Sequence, residues 1–264
     1  MLTSERIDEL YAEANYRAIV EGVDLEELNP DSPEDEKKLL QVAWSRHQLG
    51  EYDKSVPITG VLRSRWEAST EIGESARRCL AHGLLQKDGN IEGADEILRQ
   101  IPSSPDRDNV RVNMFLTAAR NGLEISATTV MTLISMALLD VPHRTVHGHI
   151  INNGTLALHE ARQQEEARLF LPVLPGLIEV AYGIYEAAGT AKNHLAGALY
   201  RASLIFEAAG PSWLNGAEVV CQGSIALWQE LWNFQGGERY EKNLNNARAQ
   251  LVQIQQKKKE AGIS

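Results

Sequence analysis

Residues 39–62, LLQVAWSRHQLGEYDKSVPITGVL, carry helix-spaced apolar side chains up to Gly50, then Tyr52, Ser55 and a second run of helix-spaced apolar positions. Apolar residues recurring every three or four positions place one stripe of each segment against a neighbour. A glycine between two such segments reverses the chain without steric penalty. The stretch therefore predicts a helix hairpin, with Ser55 small enough to let the second helix approach the first.

The same spacing returns downstream. Gly50-x-Tyr52-x-x-Ser55 is matched by Gly89-x-Ile91-x-x-Ala94, and a fainter copy runs through Asn121-Gly122 to Ala127. A fourth pairs a helix bearing Ile150, Ile151, Leu156 and Ala161 with Ala167, Phe170 and Leu171, turning near Arg162. Pro172 and Pro175 then predict a broken second helix before Leu177 to Ala188 resumes. Upstream, Ser4 to Glu21 reads as one helix and Glu21 to Glu36 as an acidic linker, with Ser32-Pro33 offering an N-cap and a proline at the first helical position.

Toward the C-terminus the segments lengthen. Ala191–Ala209 and Ser212–Phe234 read as long helices divided by Gly210-Pro211, and Trp213, Trp228 and Trp232 predict a buried aromatic cluster. Glu238–Glu260 places Tyr240, Leu244, Ala247, Leu251 and Ile254 in a narrow stripe, suited to a terminal cap or to a coiled-coil contact that would join two copies. No segment alternates β-branched and polar residues as a strand does. The expected fold is all-α, an α-solenoid of stacked antiparallel hairpins forming a single domain over 1–264: N-terminal helix and linker (1–36), clearer repeats (37–171), divergent long helices (172–237) and a capping helix (238–264).

A hydrophobic fraction of 43% with 23% charged residues is that of a folded globular chain. The net charge of -10 opposes binding to nucleic acid or to an anionic membrane. No stretch reads as the roughly 20 apolar residues of a membrane span, and no leader pattern is seen, so the expected location is cytoplasmic. Cys79 and Cys221 stand alone on helical segments and imply no disulfide framework.

The hairpins resemble the tetratricopeptide repeat, a helix–turn–helix unit of about 34 residues that stacks into a superhelix. The match is best over Leu39–Leu62 and at Gly89–Pro102, and it diverges toward the C-terminus. The spacing here drifts toward about 40 residues, and Trp44 is off the family's usual tryptophan position. The resemblance implies that the first helix of each pair lines a concave surface, where an amide side chain bonds the backbone of an extended peptide. Nine residues before the turn stand Gln41, Asn113 and Asn153, with Asn193 a further 40 along. An amide offers both a donor and an acceptor to a peptide group. The same register brings Trp44, His47 and Gln48, then Arg120, then Asn152 and His159 to that face.

His143 and His147 share a helix face at a spacing able to hold a metal, but no acid or cysteine completes a ligand set, and no metal or cofactor is assigned. No phosphate-cradling glycine loop or G-x-S-x-G elbow occurs. The leading expectation is a non-catalytic scaffold or adaptor for a peptide or partner helix. A self-associating structural protein using the C-terminal stripe, and a metal-dependent enzyme at His143 and His147, are the alternatives.

Overall fold

The computed structural model describes residues 2–13, 15–29, 32–139, 145–187, 192–235 and 238–263. Among them every regular element is a helix, and consecutive helices pack in pairs. The chain divides into two compact units, Met1–Thr117 and Ala118–Ser264.

The first unit opens with α1 (Ser4–Ala12) and α2 (Tyr16–Gly22), followed by α3 (Pro33–Gln48), α4 (Tyr52–Arg65), α5 (Glu71–Asp88), α6 (Ile91–Leu98) and the start of α7 (Pro105–Arg120). The single helix expected over Ser4–Glu21 is in fact two. Glu13 N caps the first on Glu9 O at 2.9 Å, and Asn15 N reaches Leu10 O at 2.8 Å, which reverses the chain. The reversal brings Leu2 N to Gly22 O at 3.2 Å and lets Ile7 and Leu10 on α1 meet Ile19 on α2 and Val42 on α3 in one buried cluster. A one-piece helix could not deliver all of them to a single neighbour. Each fully buried Ile or Leu contributes about 1.5–3 kcal/mol.

The hairpin turns follow the sequence closely. Gly50, Gly89 and Gly122 hold φ of 77°, 61° and 72°, the left-handed region that favours glycine. Five residues on, Ser55, Ala94 and Ala127 are each fully buried, and so is Ala167 in the fourth hairpin. Ser55 Oγ also donates to Ala43 O at 2.9 Å, fastening α4 to α3. Pro33 stands at the start of α3 as expected, although Ser32 forms no side-chain cap there.

Helices α1, α3 and α5 contact one another in order, and α2, α4 and α6 each pack against them. At the start of α5 the Thr70 hydroxyl accepts from Gly73 N at 3.1 Å. Arg77 is buried there and donates to the carbonyls of Trp66 (2.9 Å), Gly73 (3.0 Å) and Arg63 (3.3 Å). It satisfies carbonyls at the end of α4 that no intrahelical donor reaches.

In the second unit α8 (Ala127–Leu139) packs on α9 (Thr145–Glu160). After the four-residue α10 (Glu165–Arg168) and a 3₁₀ turn, α11 (Leu174–Ala187) packs on α9. The long α12 (Lys192–Ala209), α13 (Leu214–Gln235) and α14 (Glu238–Glu260) then stack in series. One expectation fails by composition: Glu165–Ile184 is 20 residues, apolar enough to cross a membrane. The chain breaks that stretch at the Leu171–Val173 turn, and the 14 residues of α11 rise about 21 Å, short of the ~30 Å hydrocarbon core.

The three tryptophans do not form one cluster. Trp228 is buried against Tyr240, with centroids 6.1 Å apart, whereas Trp213 and Trp232 are 36% and 39% exposed. The α13 surface is wider than one stripe, and α12 and α14 cover only part of it. The α14 stripe is covered within the unit: Leu244, Ala247 and Ile254 are buried, and Leu244 and Ala247 pack with Trp228 and Leu231 of α13.

Candidate functional site

Three of the residues expected on an inner face come together in the first unit. Gln41, Trp44 and Gln48 follow one another at spacings of three and four along α3, so they share a face. They line a surface cavity of about 760 Å³ with Leu40 of the same helix, Tyr11 of α1, and Ile72, Ser75 and Arg78 of α5. The cavity thus runs across α1, α3 and α5, the layer formed by the first helix of each hairpin.

Its chemistry is mixed. Trp44 Nε1 donates to Ser75 Oγ at 3.0 Å, which fixes the indole across the α3–α5 seam. Gln41 donates its amide to Asp8 Oδ1, and Asp8 also accepts from Lys37 Nζ at 2.9 Å. The Lys37 ammonium, then the Gln41 amide, hold the Asp8 carboxyl below its ordinary range. Gln41 Oε1 is buried and accepts no hydrogen bond. Arg78 spans to α7 through Asp106 at 2.8 Å. The cavity therefore offers apolar area from Tyr11, Leu40, Trp44 and Ile72, framed by amides and compensated charges.

His47 lies behind Trp44 rather than in the cavity wall. Its ring stands 5.5 Å from Trp44, 5.1 Å from Tyr52 and 5.5 Å from His82 of α5. Burial depresses the His47 pKa to about 4, and burial followed by the charges of His47 and Arg78 depresses that of His82 to about 3. Both imidazoles are neutral at pH 7, and this aromatic group serves as the backing of the Trp44 wall.

The other expected residues are placed differently. Asn113 is half-buried on α7 and donates to Asn109 O at 2.8 Å within its own helix. Arg120 is exposed, 3.8 Å from Glu160 Oε1. Asn152 is fully buried and Asn153 is 7% exposed, because α9 is packed around most of its circumference. Asn152 Nδ2 faces Asn153 Oδ1 at 3.4 Å, and Asn152 Oδ1 is buried and accepts no hydrogen bond. His159 is half-buried, its pKa lowered by burial and then by Arg162, and Asn193 is half-buried on α12. The amide register of Gln41, Asn113 and Asn153 therefore brings only Gln41 to an open cavity wall.

The pairing expected of an amide is nevertheless present. Gln164 Oε1 accepts from Ile125 N at 3.0 Å while its Nε2 donates to Leu123 O at 2.8 Å. One glutamine thus reads both backbone groups of a non-helical segment of the same chain, the chemistry expected for a bound peptide.

Tyr11, Ser75 and Arg78 were not found from sequence. Leu80, which stands nine positions before Gly89, is core. Trp44, 6 positions before Gly50, meets both Ser75, 14 before Gly89, and His82, 7 before it. The indole thus spans about two turns of α5, a reach that an offset from the turn glycine does not express.

His147 is buried, and His143 lies outside the described residues. Among the described residues no three His, Cys, Asp or Glu side chains gather at metal-binding distance. Cys79 contacts Ser55 Oγ at 3.5 Å and its thiol is pushed up to about 12 by burial. Cys221 donates to Ala247 O at 3.3 Å and is raised for the same reason. Neither is poised as a thiolate.

No known family model matches the chain, and neither a curated protein nor a solved structure matches it significantly.

Proposed function

We propose that this protein is a non-catalytic interaction scaffold with a tetratricopeptide-like first unit, and that it binds an extended peptide or partner helix in the cavity across α1, α3 and α5. The observation that carries the reading is the convergence of Gln41, Trp44 and Gln48 with Tyr11, Ile72 and Ser75 around one open cavity of about 760 Å³. An indole wall, an apolar floor and the exposed Gln48 amide, able to pair with backbone groups, form a combination suited to holding a peptide. A cytoplasmic setting accords with this role.

The test compares partner capture by the full chain and by a Trp44→Ala, Gln48→Ala double variant whose far-UV circular dichroism is unchanged. Loss of a captured protein in the variant supports the reading. Equal capture by both places the binding surface elsewhere and rejects it.

A further inference from the structure

The first unit is where the acidity of the chain resides. Met1–Thr117 contains 23 acidic and 14 basic residues, against 13 and 12 in Ala118–Ser264. Within the first unit the acids are also sorted by position. Helices α1, α3, α5 and α7 each begin with acids in the first turn: Glu5, then Glu34 and Asp35, then Glu71 and Glu74, then Asp106 and Asp108.

These first turns lie side by side. Ser4 Oγ donates to Glu34 at 3.0 Å, joining the starts of α1 and α3, and Ser104 Oγ donates to Glu74 at 3.2 Å, joining those of α5 and α7. Pro33 and Lys37 of α3 share the cavity lining with Glu71 and Ile72 of α5. One end of the groove therefore gathers seven acids, of which Lys38 pairs with Glu34 and Asp35, Arg78 with Glu74 and Asp106, and Arg107 with Asp108, leaving Glu5 and Glu71 outside the ion pairs among the described residues. The two cations in the lining are already matched, Lys37 by Asp8 and Arg78 by Asp106. Glu71 is exposed at the cavity edge and forms no ion pair among the described residues.

We propose, resting on the reading of this cavity as a peptide groove, that its ligand is a segment with a bulky apolar residue flanked by lysine or arginine. The apolar residue seats against Trp44, Leu40 and Ile72, and the basic flank lies along the rim at Glu71 and Glu5. Seven acids against Lys38, Arg78 and Arg107 leave this edge net negative even with the partial positive charge of about half a unit at each of the four helix N-termini. An acidic or phosphorylated segment would meet like charge along that edge, which suppresses the wrong partner.

The experiment is selection of a displayed library of random peptides about 12 residues long against the full-length protein. At ~3.3 Å per extended residue that length crosses three helices packed ~10 Å apart. Enriched peptides are then synthesised and titrated against the wild type, Trp44→Ala, and Glu5→Lys with Glu71→Lys. The expected result is enrichment of peptides pairing an aromatic or branched aliphatic residue with Lys or Arg. Their binding should fall about 30-fold in Trp44→Ala and about fivefold or more in the charge variant, with marked weakening as salt rises.

Acidic or uncharged peptides that still need Trp44 would overturn the basic-ligand proposal and leave the groove reading standing. Basic peptides that bind Trp44→Ala as tightly as wild type, or no enrichment over that variant, would overturn both.

Discussion

The Trp44 indole N–H donates to the Ser75 hydroxyl at 3.0 Å, joining α3 to α5 across the floor of the candidate groove. Ser75→Ala should keep the cavity and its apolar wall but free the indole. The expected cost is about 0.5–1.5 kcal/mol of stability, read as a lowered urea midpoint with unchanged m-value. A loss well beyond that range would mean that Ser75 does more than hold Trp44.

Two helix glycines should respond in opposite senses to alanine. A Cβ on Gly73 would lie 2.0 Å from Glu67 O, so the Thr70-capped start of α5 must shift, and Gly73→Ala should cost about 1–3 kcal/mol. Gly60 on α4 has nothing within 4 Å of such an atom, so Gly60→Ala should gain about 0.5–1 kcal/mol from helix propensity. Thermal unfolding of both single variants checks the pair.

Acid should loosen the first unit through His47 and His82. Their folded pKa values, about 4 and about 3, lie below the ordinary histidine value, so the unfolded chain takes up protons first. The stabilisation is complete above pH ~6.5 and is lost as the pH falls toward 4, by up to about 3 kcal/mol for each histidine. The groups around the pair, Trp44, Tyr52 and Arg78, include no carboxylate to receive the new charge. Chemical denaturation between pH 7.5 and 4 should show this slope, and a His47→Gln, His82→Gln variant should flatten it; an equal slope in the variant would assign the acid sensitivity to other groups.

Gln164 clamps residues 123–125 ahead of α8 through both ends of its amide. Gln164→Glu removes the donor to Leu123 O, and Gln164→Ala removes both bonds. The expected costs are about 1 and about 2 kcal/mol, and hydrogen exchange at the Ile125 amide should accelerate in the alanine variant. An unchanged exchange rate there would show that the loop is held by other contacts.

Much of the hairpin layout was legible because its signals are local. Glycines at 50, 89 and 122 adopt the left-handed turn that their position implied, and Ser55, Ala94, Ala127 and Ala167 are buried where close approach was expected. The break between α1 and α2 was not legible, since a polar residue such as Asn15 fits a helix surface as well as a turn. Only the need to bury Ile7, Leu10 and Ile19 against Val42 decides between them. The scattering of Trp213, Trp228 and Trp232 was hidden for the same reason, because a helix face does not say how much of it its neighbours will cover.

By itself, then, the sequence determined the helices beyond α2, their glycine turns and the acidic first turns, which depend on backbone propensity, apolar period and residues within one turn of each other. The tertiary structure alone decided which side chains form the candidate groove. The packing of α3 on α5 sets Trp44 against both Ser75 and His82, and the packing around α9 turns Asn152 inward while Gln41 stays at a cavity wall. Both outcomes are set by contacts between segments far apart in the chain, which local spacing does not encode.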